Sequence, residues 1–195
     1  MPNEEFAIVL DYLPRGKSAS YKTEPLAQVL GMQFFTLLEV VPKTELKILE
    51  KVYIGKDERE KISLIKRRIV AKEMTSTASG ELEKAIEMIV AQDEKRFVDF
   101  FNTARPITIK RHQFELLPGL GKKHLFNILE ARQKKPFESF RDIEERVPLM
   151  PNVAKTICKR IVEELECAEE KHFLFSRPPA QKREFDQRGF YREQR

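Results

Sequence analysis

An α+β architecture in more than one domain is predicted for this chain of 195 residues: a small all-β barrel first, then an all-α domain containing two helical hairpins. Three observations predict it. Runs rich in Val, Leu, Ile and Phe, punctuated by Pro and Gly, fill residues 1–75. Beyond them the apolar residues recur at three-and-four spacing, the period of a helix face. Within the helical part a glycine turn, Pro118-Gly119-Leu120-Gly121, separates two periodic stretches.

The first domain, residues 1–75, opens with Phe6 to Leu13, a β-favouring run closed by Pro14-Arg15-Gly16 that reads as a buried strand and turn. Leu26 to Val41 is predicted as strand, bent at Gly31 and ended by Pro42, with Phe34, Thr36, Leu38 and Val40 on one face. Leu46 to Ile54 and Ile62 to Val70 supply further strands, the second carrying Lys66, Arg67 and Arg68. Strands this short and this numerous suggest a barrel resembling the oligonucleotide-binding (OB) fold. Such barrels present cations and aromatic rings on a groove, and Arg67 and Arg68, with Arg15, Lys17, Tyr21, Tyr53 and Lys56, are the candidates here. Protection of a sheet edge is the plainer role for the same cations.

Residues 76–104 read as connecting helices. Thr75 to Gly80 offers a cap, Leu82, Ala85, Ile86, Ile89 and Val90 follow at helical spacing, and Phe97, Phe100 and Phe101 mark a buried stripe. Pro106 ends the helix before it. Thr108 is expected to cap a new helix leading into the glycine turn.

The helical hairpin domain is placed at 105–168. Gly119 and Gly121 permit positive φ, and Leu120 between them can anchor the turn in the core. The turn's amides then face outward at the start of the next helix, where N–H groups and the helix dipole together attract an anion. Lys122 and Lys123 stand beside them, and Arg111 lies on the approach. The pattern resembles the helix-hairpin-helix motif of sequence-independent nucleic-acid-binding proteins, with Leu125 where that motif usually has Ala. A phosphate-cradling loop of the nucleotide-hydrolysing kind fits poorly, since Leu116 and Lys123 replace its Gly and its hydroxyl residue. A shift of thirty-three residues lays Pro118 on Pro151, Gly119 on Asn152, Lys122 on Lys155 and Ile128 on Ile161. Asn152 and Lys155 are therefore the corresponding residues of a second hairpin. With a helix from Phe137 to Arg146 between them, the two hairpins would close one core.

Composition narrows the function classes. The formal net charge is +5, but between Arg105 and Pro136 eight Lys and Arg face only Glu115 and Glu130. That concentration favours a phosphate-bearing partner and salt-dependent binding. The Cys158 and Cys167 thiols are not spaced as metal ligands, nor are His112, His124 and His172, and no nucleophile-base grouping is visible. No metal or cofactor is expected. No apolar run reaches membrane-spanning length and no signal-like N-terminus is present, so a cytoplasmic location is expected. The segment 169–195 is basic and reads as a flexible tail, in which Phe173 to Phe175 dock and Arg188-Gly189-Phe190-Tyr191-Arg192 loosely resembles arginine-aromatic RNA-binding segments.

Taken together, Phe97 to Asn102, Pro106-Ile107-Thr108, His112-Gln113, Leu116 to Lys123 and Pro136 to Phe140 are similar to an archaeal family known as domain of unknown function 655, over residues 5–177. The resemblance implies a barrel akin to the OB-fold followed by a helix-hairpin-helix domain, and nucleic-acid binding without a reaction. The function expected is non-enzymatic binding of nucleic acid, RNA before DNA, with Pro118, Gly119, Leu120, Gly121, Lys122 and Lys123 gripping backbone phosphates. The competing expectation is a scaffold that docks a ribosomal or transcription component.

Overall fold

The computed structural model describes residues 4–16, 24–167 and 171–178. Five strands, β1 (Phe6–Leu13), β2 (Leu26–Gly31), β3 (Leu37–Pro42), β4 (Lys51–Tyr53) and β5 (Ile62–Arg68), form one curled antiparallel sheet in the order β4-β1-β2-β3-β5. The two edge strands share no ladder. The sheet is thus a half-barrel, and the Lys61–Glu50 ion pair spans the gap between its edges.

Strands β1, β2 and β3 are buried on both sides, which is why they lack polar alternation, whereas β5 is largely exposed. Ala7, Val9, Val29, Val40, Val52 and Ile62 fill the inside of the curl. Ile8, Leu10, Leu30, Phe35 and Leu37 point the other way and join the helices in a single core. Helix α1 (Ser76–Gln92) lies on that outer face. Its N-cap Thr75 accepts from the Ala78 amide, donates its hydroxyl to Asp11 at 2.6 Å, and donates its own N–H to the Gln28 side-chain oxygen at 2.8 Å. The same cap that starts the helix therefore fixes it to β1 and β2.

Helix α2 (Glu94–Thr103) buries Phe97 and Phe101, which with Phe114 are fully removed from water. Each contributes about 1.5–3 kcal/mol by burial. Helices α3 (Lys122–Lys134), α4 (Phe140–Arg146) and α5 (Val153–Glu166) complete the layer. Phe175 docks edge-on against Phe97 and Phe100, as the sequence suggests for the stretch from Phe173. The buried carboxylate of Glu164 holds this strap, accepting the amides of Leu174, Phe175 and Ser176, the Ser176 hydroxyl and the Arg160 guanidinium.

Four expectations change. The stretch from Leu26 to Val41 is two strands with a turn between them, because the Glu4 carboxylate takes the amides of Gln33, Phe34 and Thr36 and folds the chain back. A Cβ at Gly31 would collide with that carboxylate. Only Lys51–Tyr53 of the predicted Leu46 to Ile54 strand is strand. Thr108 caps no helix: Pro106–Thr108 (β6) pairs with Arg111–His112 (β7), and the approach to the glycine turn is a single 3-10 turn, Gln113–Leu116. Finally α4 begins at Phe140, capped by Ser139, with Phe137 buried ahead of it. Residues Lys17, Tyr21 and the segment from Arg188 to Arg192 lie outside the described residues.

Candidate nucleic-acid interface

Two tight turns face the start of two helices, and their hydrogen bonds explain how differently those helices begin. In the first, the Leu120 amide donates to the Leu117 carbonyl at 3.1 Å with Gly119 at φ 81°. With Pro118 fixing the preceding φ, this is a type II turn, in which glycine occupies the one position that disfavours a side chain. The second repeats it: the Met150 amide donates to Val147 at 3.3 Å, Pro148 stands where Pro118 does, and Leu149 takes φ 58°. The turns are therefore thirty residues apart, and the helices after them begin thirty-one apart. The thirty-three-residue register is corrected accordingly. Asn152 is not the partner of Gly119: its φ is −54° and it is the N-cap of α5.

The amides at the two helix starts meet different fates. At α5 the Asn152 side chain accepts from Lys155 N at 2.9 Å, while Glu144 of α4 accepts from Val153 N at 2.8 Å and from the Asn152 amide group at 3.1 Å. A carboxylate of the chain itself occupies this positive helix end. At α3, Gly121 is the N-cap and supplies no side chain. Leu120 N–H is used within the turn, and Gly121 N–H points to His124 Nδ1 at 3.4 Å. Among the described residues, the amides of Gly119, Lys122, Lys123 and His124 have no acceptor within the chain. Two of the amides expected to face outward are thus satisfied internally, and the neighbouring four remain.

His124 also joins the hairpins. Its Nδ1 accepts from Gly121, so Nε2 carries the proton and donates to the Leu149 carbonyl at 3.0 Å. The strained second turn is consequently held beside the open helix start, with the Leu149 side chain 82% exposed.

The basic segment shrinks when each cation is followed. Arg132 donates to the carbonyls of Phe101, Asn102 and Ala104 and closes the end of α2. Burial presses against its charge. Lys134 pairs with Glu130 and Lys135 with Glu138. That leaves Arg105, Lys110, Arg111, Lys122 and Lys123, all exposed and without an acidic partner among the described residues. The β6-β7 hairpin bearing the first three is stitched to the approach turn by Arg105 N–H to Gln113 Oε1 at 2.7 Å and Gln113 N–H to the Arg105 carbonyl at 3.2 Å. His112 is buried there. Its Nδ1 accepts from Phe114 N–H, and desolvation, reinforced by Arg132, holds its pKa below the ordinary value.

The remaining sequence candidates stand elsewhere. Arg67, on β5, is clasped by Glu73 at 2.6 Å and Glu39 at 2.7 Å, which strengthen its hold on the proton. Arg68 turns inward and donates to the Arg177 carbonyl at 2.5 Å. Lys155 is exposed on α5, with its backbone amide engaged by Asn152. Pro118 and Leu120 shape the turn, Leu120 being buried. Arg105, Lys110, His124 and Glu144 were not singled out by spacing. The first two were visible in the charge count, whereas the roles of His124 and Glu144 depend on partners 25 and 9 residues away.

A curled antiparallel sheet sharing one core with a hairpin-bearing helical layer defines an α+β class of small proteins. The chain belongs to the family of proteins of unknown function DUF655, whose model matches residues 3–177. It is 43% identical over 175 residues to the uncharacterised protein MJ0038 of Methanocaldococcus jannaschii, covering 88% of this chain and 79% of that one. Its structure is similar to the crystal structure of Af1531 from Archaeoglobus fulgidus, with a TM-score of 0.81 and 44% identity over 89% of this chain and all of the other. Among the described residues no helix is long and apolar enough to cross a membrane, and no three His, Cys, Asp or Glu side chains gather as a metal site would require.

Proposed function

We propose that this protein binds nucleic acid through backbone phosphates, without base specificity and without catalysis, and that the start of α3 is its grip. The observation that carries this reading is the contrast between two homologous-looking helix starts. One is filled by Glu144; the other presents the unbonded amides of Gly119, Lys122, Lys123 and His124, bordered by Lys122 and Lys123 and preceded by Arg105, Lys110 and Arg111. A phosphate oxygen satisfies those amides as Glu144 satisfies Val153, and the cations add a term that weakens with salt. The two turns with their helices form a pair of helix-hairpin-helix units in which the first approach helix has shortened to a 3-10 turn. The half-barrel, with its OB-like strand order, is the second contact surface, and RNA is the preferred polymer because barrels of that kind suit unpaired strands.

The reading is tested by titrating single-stranded RNA, duplex RNA and duplex DNA across a salt series. Binding whose logarithm falls linearly with the logarithm of salt, and falls less steeply in Lys122→Glu/Lys123→Glu, is the expected result. Wild-type protein that binds none of the three polymers at low salt excludes it.

A further inference from the structure

Cations also gather away from the α3 helix start, around a pocket. Where β5 ends and the 3-10 turn Ala71–Glu73 begins, the chain leaves a cavity of about 110 Å3 against the C-terminal end of α5 and the strap. Leu37, Ile69, Val70, Ala71 and Leu165 give it apolar walls, Arg68, Lys72 and Arg177 supply positive charge, and Glu164 and Glu166 line it from the end of α5. The space holds several waters or one flat ring. Pockets at such seams between structural layers are the usual places for small ligands.

Arg68 is the unusual group. Four other arginines have their charge answered more fully: Arg160 by Glu164, Arg146 by Asp142, Arg132 by three carbonyls, and Arg96 by the Met32 carbonyl and the faces of Phe35 and Phe97. Among the described residues Arg68 makes one hydrogen bond, to the Arg177 carbonyl, and no acidic side chain bridges to it. Burial and then the Arg177 charge oppose its protonation, and the Glu4 charge supports it. Of the acids nearby, Glu4 is saturated by three backbone amides, Glu164 is held by the strap and Arg160, and Glu166 is exposed at the cavity's edge without an ion pair to Arg68. A desolvated guanidinium with open N–H groups is costly unless something negative meets it. Its planar fork matches a phosphate bidentately.

We infer that this cavity is a binding site for an organic phosphate monoester, whose flat apolar body enters between Ile69, Val70 and Leu165 while its phosphate meets Arg68 and Lys72. The ligand is either a free nucleotide-like molecule or the phosphorylated end of a strand. Neither form requires the α3 hairpin.

Full-length protein is titrated by calorimetry with uridine monophosphate, uridine and inorganic phosphate, and with a short oligonucleotide bearing a 5′-phosphate or a 5′-hydroxyl. The monophosphate is expected to bind at least about tenfold more tightly than the nucleoside or phosphate alone. Arg68→Gln, which keeps a donor for the Arg177 carbonyl, and Lys72→Glu, at an exposed rim position that does not threaten folding, are each expected to weaken it by a similar factor. Lys122→Glu/Lys123→Glu is expected to leave it unchanged, which separates this site from the hairpin. Preference for the phosphorylated oligonucleotide identifies the strand end as the source; equal binding of both oligonucleotides with retained monophosphate binding identifies the free ligand. Absence of monophosphate binding to the wild type up to about 5 mM, or full binding by a folded Lys72→Glu variant, overturns the proposal.

Discussion

The two hairpins are built on one plan and finished in opposite ways. Each has a Pro at the second position of its turn, a left-handed residue at the third, and a helix beginning soon after. In the second, one extra residue, Asn152 as N-cap and the Glu144 carboxylate together satisfy the helix start from within. In the first, glycine stands at the cap and the left-handed position, and the helix start is left to solvent with lysines around it. The difference teaches that a turn motif does not by itself make an anion site; what matters is whether the chain has already supplied the anion.

The largest effect that can break the comparison is charge reversal at the open helix start. Lys122→Glu with Lys123→Glu is expected to lower affinity for RNA by roughly 10- to 100-fold, since a phosphate that is no longer neutralised keeps the counterions it would have released. Filter binding at low salt measures it, and Lys155→Glu at the occupied hairpin is expected to change affinity far less.

Opening the closed hairpin comes next. Glu144→Ala leaves Val153 N–H and the Asn152 amide without their acceptor and removes a negative charge from a helix N-terminus, at a cost of about 1–3 kcal/mol in urea denaturation. Nucleic-acid affinity is expected to stay within twofold, because this hairpin is not the proposed grip; roughly twofold lies inside ordinary measurement spread.

Exchanging the turn residues sharpens the comparison further. Gly119→Ala meets open space, so its cost is conformational alone, about 1 kcal/mol at φ 81°. Leu149→Gly should do the reverse: the side chain is exposed, little packing is at stake, and relief of the left-handed strain is expected to raise stability by up to about 1 kcal/mol. Thermal denaturation of the two variants should move in opposite directions.

The smallest effect is on acid. His112, beside the first hairpin, is desolvated, which puts its folded pKa below its unfolded one. Above the unfolded value, about 6.5, its contribution is fully present; as pH falls through that value the unfolded chain takes up the proton first, and stability declines until the folded pKa is passed. His112→Gln is expected to flatten this acid-side slope in denaturation curves taken across that range.

Much of this molecule was legible in the sequence. The helix faces of α1 and α2 followed from the spacing of Leu82, Ala85, Ile86 and Ile89 and of Phe97 and Phe101, and all six are buried. The Pro118 to Gly121 turn was visible because proline and glycine have few other uses in that order. Long-range carboxylates were not visible. Glu4 folds the β2-β3 turn from 29 or more residues away, and Glu164 draws the strap onto α5, yet on paper each is one Glu in a chain where a third of the residues are charged. The register of the second hairpin misled for a related reason. Pro148 and Pro151 both offer a match to Pro118, and the choice is settled by Leu149 taking a conformation that β-propensity and hydropathy do not encode. Charge counting likewise overstated the basic segment, because Arg132 answers helix-end carbonyls and Lys134 and Lys135 have acids beside them.

The central claim is that one helix start is vacant for phosphate and its twin is not, and backbone amide resonances read that directly. In a 15N-labelled titration with single-stranded RNA at low salt, Gly119, Lys122, Lys123 and His124 are expected to shift progressively and to return as salt is raised, while Val153 and Lys155 hold still. Saturable RNA binding that leaves the first four unmoved, or that moves Val153 and Lys155 as much, contradicts the account.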